Sequence, residues 1–483
     1  MKSIINQTKL AIFVFLFISL SACQHEEQSP NIIFIMSDDH ASAAISTYGN
    51  SLLETPNIDK LADQGMRFNN CLNVVSLCGP SRAAILSGRY SVHNGYMRNG
   101  NSFDRNQLSF PKLLQQAGYE TAIIGKWHLV TQPAGFNYYN VIPFQGQFFD
   151  CRMKETGQEW QDRDKGGVVQ AGYLTEVITD KAIDWLKDRD KKKPFCLLIH
   201  HKAPHEPYHY PERYEKLLAN DTIIEPENFN DTFEGKNHVL VNNECRYSKF
   251  NNISMPFLKD VLPQDMEKGT ADYKSSSYPL VMKGYHRLVA ALDDNIGRLM
   301  NFVDHSDVGE NTIVVYTSDN GWFLGDHGLF NKMWMYEESL HVPLIIRYPE
   351  SIKPATVNDD LVSVLDFAPT FLDFAGVEKP EQFQGKSIRQ LMAGFTPDDW
   401  RSAHFYHYFG QFEVPSHYGI RTKKYKLIHF YEAEEEPKWE LYDMKNDSKE
   451  KVNLIHNPEY LDVFRNMRIL LQEKKKQYED TSL

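Results

Sequence analysis

The sequence is poor in several things, and each shortage excludes something. Its 483 residues hold six cysteines, with no C-x-x-C pair among them. That excludes a zinc ribbon and a thioredoxin-type redox motif. Basic residues are in the minority: 52 Lys and Arg face 64 Asp and Glu, a formal charge of −12. Nucleic acid is therefore not the expected partner. An anionic substrate stays open, because a cleft can be positive within a negative molecule. No internal repeat is visible, and nothing in the composition points to collagen, coiled coil or bulk disorder. Long hydrophobic runs are scarce too. The clearest, "AIFVFLFISL" (residues 11–20), is too short to span a bilayer comfortably.

That run has Lys2 and Lys9 before it and the small residues Ser21 and Ala22 after it. It reads as an export signal over residues 1–22; a first buried strand or helix is the other reading. "LSAC" is similar to the lipobox of bacterial lipoproteins. The similarity implies cleavage before Cys23 and a lipid on its thiol, which would anchor the protein in a membrane without a spanning helix. Residues 23–30 would then be a polar tether. Gln24 after the cysteine favours the outer membrane within that pattern. The other cysteines are Cys71, Cys78, Cys151, Cys196 and Cys245. An export compartment permits disulfides without requiring them, and the spacing pairs none of them.

Five apolar runs are nearly continuous: "NIIFIM" (31–36), "TAIIG" (121–125), "FCLLIH" (195–200), "TIVVYT" (312–317) and "PLIIRY" (343–348). Such runs are expected of strands buried on both faces of a parallel sheet. Helical patterns alternate with them. Thr55 is a candidate N-cap with Pro56 in the first turn, and Gly118 and Gly88 are candidate C-caps. The pattern predicts an α/β fold, a large and mainly parallel sheet flanked by helices. The catalytic domain is placed at 31–394, with an insertion around 208–274, polar and aromatic, packed over it. A smaller α+β subdomain is expected over 395–483, with antiparallel strands and the amphipathic helix "YLDVFRNMRILLQEKKKQY".

In open parallel sheets, ligands bind beyond the carboxyl ends of the strands. The first run is followed by Asp38 and Asp39, the fourth by Asp319 and Asn320. Such an all-oxygen set suits a hard cation such as Ca²⁺, although Asp and Asn also N-cap helices that follow strands. The second run is followed by Lys126 and His128, two residues apart and on one side of an extended chain. The third leads to His201 and His205, with Pro204 and Pro207 stiffening the turn. Cations and imidazoles beside carboxylates suit an anionic substrate that needs proton transfer. "CGPSRAAILSGR" (78–89) reads as a helix start with Pro80 in its first turn. Cys78 at a helix N-terminus would be an acidic, reactive thiol. A soft thiolate is nevertheless a poor Ca²⁺ ligand, so an oxygen nucleophile suits this site better.

C-x-P-S-R followed by "LSGR" resembles the signature of the type I sulfatases, in the alkaline-phosphatase superfamily. "NIIFIMSDD", "TPNIDKLADQGMRF", "GYETAIIGKWHL", "HKAPHEP", "VVYTSDNG", "GLFNKMWMYEESLHVPLIIRYP" and "LYDMKNDSKEKVNL" resemble sulfatase segments in the right order. The resemblance implies that a maturation enzyme oxidises Cys78 to formylglycine, whose aldehyde hydrate supplies the oxygen nucleophile. It implies Ca²⁺ on Asp38, Asp39, Asp319 and Asn320, with an oxygen of the modified Cys78. Arg82 would steady the hydrate, Lys126 and Lys332 would hold sulfate oxygens, and His128 would assist the formylglycine hydroxyl. His205 would protonate the leaving sugar oxygen, with His201 as its rival. The substrate implied is a sulfated poly- or oligosaccharide: ulvan, carrageenan, heparan sulfate or a mucin glycan. His40, Tyr208, His209 and Tyr210 are candidates for reading the sugar. Two other readings stand beside this one: a phosphate or phosphonate ester hydrolase of the same superfamily, and a non-catalytic glycan-binding lipoprotein.

Overall fold

The computed structural model describes residues 29–481 apart from 162–164, 242, 244 and 248–269. The export signal, Cys23 and most of the tether lie outside the described residues, as does part of the insertion.

The continuous apolar runs form the centre of a ten-stranded sheet. Its strands are β1 (Asn31–Asp38), β2 (Met66–Phe68), β3 (Glu120–Lys126), β4 (Tyr138–Ile142), β5 (Phe149–Glu155), β6 (Val168–Tyr173), β7 (Phe195–Pro204), β8 (Thr312–Ser318), β9 (Leu344–Arg347) and β10 (Thr356–Asn358). Their order is β10-β2-β9-β8-β1-β7-β3-β4-β5-β6. The block β8-β1-β7-β3-β4 is parallel throughout. Burial on both faces explains the lack of alternation. Ile32, Phe34 and Met36 enter one core layer, while Ile33 and Ile35 enter the other. The run at 343–348 was expected to be parallel and is not: β9 lies antiparallel to both β8 and β2. It is equally buried, and apolarity reports burial rather than direction.

Among the described residues, the longer helices are α1 (Pro56–Asp63), α2 (Cys78–Ser87), α3 (Phe110–Gln116), α4 (Leu174–Asp188), α5 (Ala271–Asp304), α6 (Phe367–Phe374) and α7 (Leu461–Gln477). Gly88 and Gly118 follow α2 and α3 at φ +62° and +93°, as C-terminal glycines do. Thr55 makes no side-chain cap to α1. The N–H groups of Asn57 and Ile58 instead donate to the Asp293 carboxylate on α5, at 3.2 and 2.8 Å. The cap is tertiary and ties the first helix to the longest. α5 begins at Ala271, inside the segment read as insertion. "SSSYP" (275–279) resembles a loop, yet Pro279 sits within the helix.

The C-terminal strands β11 (Ala403–Tyr408), β12 (His417–Thr422), β13 (Tyr425–His429) and β14 (Trp439–Asp443) form an antiparallel sheet, against which α7 packs. This subdomain shares one core with the main sheet: Phe34, Tyr406 and Leu471 belong to the same buried cluster. Strand β11 docks on the chain just before α2, where the His407 N–H donates to the Val74 carbonyl at 3.0 Å.

Replacing Asp293 with Ala would leave the buried Ile58 N–H and the half-buried Asn57 N–H of α1 without their partner. About 2–4 kcal/mol of stability should be lost, read as a lower midpoint in urea unfolding of the matured protein.

Candidate active site

Four strand ends and one helix start converge. Asp38 ends β1, and the chain turns at once through Asp39, whose φ is +65°. Ser318 ends β8, with Asp319 and Asn320 next. Lys126 ends β3. Pro204 ends β7, with His205 following. Cys78 is the first residue of α2. All of these side chains are buried.

Charge balance organises the cluster. Arg82 donates through Nε to Asp319 Oδ2 at 2.8 Å and through Nη1 to the Lys126 carbonyl at 2.8 Å. Its Nη2 lies 3.8 Å from Asp38 Oδ1. The Lys126 ammonium contacts Asp38 and donates to Gln145 Oε1 at 2.8 Å. The Lys332 ammonium contacts Asp39 and lies 2.9 Å from Cys78 Sγ. Lys332 is flanked by Asn331 and Met333, both at positive φ. His205 places Nε2 3.6 Å from Asp39 Oδ2, while its Nδ1 lies 2.7 Å from the Glu206 carbonyl.

Burial pushes the Asp38 carboxyl up, but Lys126, His205, Arg82 and Lys332 outweigh it and hold the group well below the usual range. Burial dominates at Asp39 and raises it, against Lys332. Asp319 is raised by burial and by Asp38. His128 and His205 are both pushed well below the usual imidazole range, by burial and then by Lys126.

The residues fit a hard cation. Asp38 Oδ1 and Asp39 Oδ2 are buried and accept no hydrogen bond among the described residues, a costly state unless something else binds them. One ligand atom each from Asp38, Asp39, Cys78 and His205 lies within 4.8 Å of the others. Asp319 and Asn320 adjoin them, with Asn320 Nδ2 3.0 Å from Asp319 Oδ1 and 3.4 Å from Asp39 Oδ1. Oxygen donors, mostly carboxylate, suit Ca²⁺.

Three expectations are corrected. Cys78 is not acidic: burial raises its thiol far above the ordinary value, and Lys332 and Lys126 only partly offset this. A helix terminus cannot replace lost hydration. Lys126 and His128 do not share a side through extended geometry, since the chain leaves the strand at Lys126 and His128 has a φ of +58°. Strand β7 continues through His201 to Pro204, so His201 lies within the sheet. By alternation it shares the face of Leu197, Ile199 and Ala203, which pack in the layer that excludes α2. Burial lowers His201 to about 3.

Of the candidate sugar readers, His40 and Tyr208 are buried. His40 Nδ1 lies 2.5 Å from the Tyr316 hydroxyl. Tyr210 is held by Arg287 on α5, and His209 is exposed. Among the described residues, no side chain of the four hydrogen-bonds to Asp38, Asp39 or Asp319, and the buried His40 Nε2 and Tyr208 hydroxyl accept and donate no hydrogen bond.

Apart from Ser81, which belongs to the C-x-P-S-R segment, several supporting residues gave no sequence signal. Asn73 Nδ2 donates to the Asp319 carbonyl at 2.5 Å, and Ser81 Oγ donates to the same carbonyl at 2.6 Å. Asn99 Oδ1 accepts the Gly79 N–H at 3.0 Å. A Cβ on Gly79 would lie 2.7 Å from the Tyr96 ring, which explains glycine beside Cys78. Gln145 fixes Lys126. Only tertiary contact distinguishes these amides from ordinary loop residues.

A parallel sheet that gathers carboxylates, lysines and imidazoles on the first turn of a helix defines a hydrolase of anionic esters. The match with known proteins narrows this: residues 30–377 match the sulfatase family, and residues 325–477 match the C-terminal family of N-sulphoglucosamine sulphohydrolase. This chain belongs to the sulfatase family and is a sulfuric ester hydrolase. N-acetylglucosamine-6-O-sulfatase of Bacteroides thetaiotaomicron is 41% identical over 513 aligned residues, covering 96% of this chain and 90% of that one. Arylsulfatase of Clostridium perfringens is 28% identical, covering 92% and 94%. A solved structure described as a complex with its substrate D-glucosamine-2-N,6-O-disulfate aligns at a TM-score of 0.86 and 41% identity, covering 94% and 99%. A phosphonate monoester hydrolase of Silicibacter pomeroyi shares the fold, at a TM-score of 0.75 and 21% identity.

The raised Cys78 thiol makes a direct prediction. In folded, unmodified protein at pH 8, iodoacetamide should label Cys78 at least tenfold more slowly than a free cysteine peptide, of order ten being the minimum for so buried a thiol. Peptide mass mapping after timed quenching checks it.

Proposed function

We propose that this enzyme removes the 6-O-sulfate from glucosamine-type residues of a sulfated glycan. The observation that carries the reading is the 41% identity across 96% of the chain with a relative named for that reaction. Ulvan-active sulfatases are more distant, at 25–26% identity.

In this reading Asp38, Asp39, Asp319 and Asn320 hold Ca²⁺. A maturation enzyme converts Cys78 to formylglycine. When present, the ion supplies positive charge at sulfuryl oxygens, and the modified residue supplies an oxygen nucleophile. The chain's own residues do the rest. Lys332, already 2.9 Å from Cys78 Sγ, and Lys126 receive the sulfate oxygens and neutralise them where water is excluded. Arg82 stays on Asp319 and orients that carboxylate. With Nδ1–H donated to the Glu206 carbonyl, His205 directs Nε2 toward Asp39; protonated to the imidazolium, it delivers the Nε2 proton to the leaving sugar oxygen and is left neutral. The fall of its pKa through burial and Lys126 is opposed once a sulfate anion enters. His128, buried with both ring nitrogens unpartnered among the described residues, accepts a proton at the position of residue 78. Export and a lipid on Cys23 would place this chemistry outside the cytoplasm, where such glycans occur.

The test is sulfate release from N-acetylglucosamine 6-sulfate, ulvan, carrageenan, heparan sulfate and mucin oligosaccharides, with Cys78→Ala as control. Release from the 6-sulfated glucosamine substrates, absent in the control, is the expected result; release from another glycan alone would overturn the substrate assignment. A chelator should abolish activity, and added Ca²⁺ should restore it. His205→Ala should lower kcat/KM on the sugar sulfate by about 10²–10⁴-fold. It should do much less on an aryl sulfate, whose leaving group needs no proton.

A further inference from the structure

Lys202 lies near the end of β7, two residues before Pro204, and is 1% exposed. Its ammonium donates to the Glu206 carbonyl at 3.0 Å and lies 5.1 Å from the centre of the Phe148 ring, which is also buried. Among the described residues, no carboxylate lies within ion-pair distance of it. Burial lowers its pKa to about 8, and Lys126 adds to the fall, so the group stays charged at neutral pH. A buried ammonium with no carboxylate against it is costly. Packing does not call for it, since methionine would fill the same space beside Phe148 without burying a charge. Buried, perturbed cations of this kind cluster at functional sites.

The oxygen that Lys202 holds is shared. The Glu206 carbonyl also accepts the Nδ1–H of His205, at 2.7 Å. The His205 backbone N–H donates to the Lys202 carbonyl at 3.0 Å. Residues 202–206 are thus closed on themselves, with side chains from both ends of the Lys202–His205 pair meeting on one oxygen. That oxygen sets the direction of the imidazole. The backbone alone secures it poorly, because residues 204 and 207 are prolines and bring no N–H to the turn. The Lys202 ammonium supplies a donor in their place, on a stem long enough to reach along the turn.

We propose that Lys202 is a positioning residue for His205: by holding the Glu206 carbonyl, it fixes the imidazole with Nε2 facing the bond that breaks. Lys202 itself touches neither the ester nor the carboxylates. With Nδ1–H kept on a fixed carbonyl, the ring does not swing its Nε2 proton away from the leaving oxygen, and the proton transfer keeps its geometry. This rests on the sugar-sulfate reading above, in which His205 protonates the leaving group.

The test is a double-mutant cycle in the matured, full-length enzyme, with Lys202→Met and His205→Ala alone and together. The substrates are the sulfated sugar that the unaltered enzyme hydrolyses best and an aryl sulfate. Lys202→Met should lower kcat on the sugar by about 10–100-fold with KM unchanged. It should change the aryl sulfate by no more than about twofold, and Tm should hold or rise because a buried charge is removed. Added to His205→Ala, it should lower kcat no further, since the ring it positions is gone. Lys202→Gln goes through the same cycle, so that a folding defect in one variant leaves the other to decide. An unchanged kcat on the sugar would overturn the proposal. So would an equal fall with and without His205, which would make Lys202 a support of the fold. Coupling to His205 as large on the aryl sulfate as on the sugar would keep the positioning role and overturn the assignment of His205 as the acid.

Discussion

Three buried carboxylates, Asp38, Asp39 and Asp319, face three buried cations, Arg82, Lys126 and Lys332. Everything around them answers to that arrangement. Removing six charges from water is expensive, and pairing repays it only where geometry is good and the remaining polar atoms are satisfied. The parallel sheet supplies the geometry. Adjacent strands β8, β1, β7 and β3 end together, so residues distant in sequence share one small volume. The satisfaction is incomplete, since one oxygen each of Asp38 and Asp39 accepts nothing among the described residues. A fold stabilised by burying apolar surface elsewhere can hold such a site open for a cation and an anionic ester.

The layers outside the site act on it at one remove. Asn73 and Ser81 fix the Asp319 carbonyl, and the ring nitrogen of His404 on β11 lies 2.7 Å from the Asn73 carbonyl. Cys245 packs on the loop that presents Lys332: the Phe330 N–H donates to the Cys245 carbonyl at 2.7 Å, and Cys245 Sγ lies 3.2 Å from the Lys332 carbonyl. His327 in the same loop lies 2.6 Å from Asp231. The subdomain and the insertion therefore act as walls of the site, which explains why they share its core.

Much of the site was legible because strand ends are legible. A buried strand announces itself by an unbroken apolar run, and whatever polar residue follows is at the sheet's carboxyl edge. Asp38, Asp39, Lys126, Asp319 and Asn320 were found in this way, and all five meet in one cluster. Cys78, Arg82 and Lys332 needed the family resemblance, since neither a helix start nor "NKMW" carries a chemical signature alone. Some features had no local sign. The cap on α1 comes from Asp293, 236 residues from Asn57. The direction of β9 depends on where its connection crosses. The early start of α5 was hidden by "SSSYP", which tertiary packing carries through a helix despite its proline.

The sequence by itself determined which segments are buried, in what order they alternate, and which side chains stand at the strand ends. These follow from burial and backbone preference, which act within a few residues. Tertiary structure alone decided the state of those side chains. Cys78 is a raised thiol and not an acidic one, the surrounding cations hold the Asp38 carboxyl low while burial pushes its neighbour Asp39 up, and His404 of the C-terminal sheet meets Asn73 more than 300 residues earlier in the chain. The physical reason is that hydration and charge interactions are set by every group sharing the same low-dielectric space, and neighbours in that space are chosen by the fold rather than by the chain.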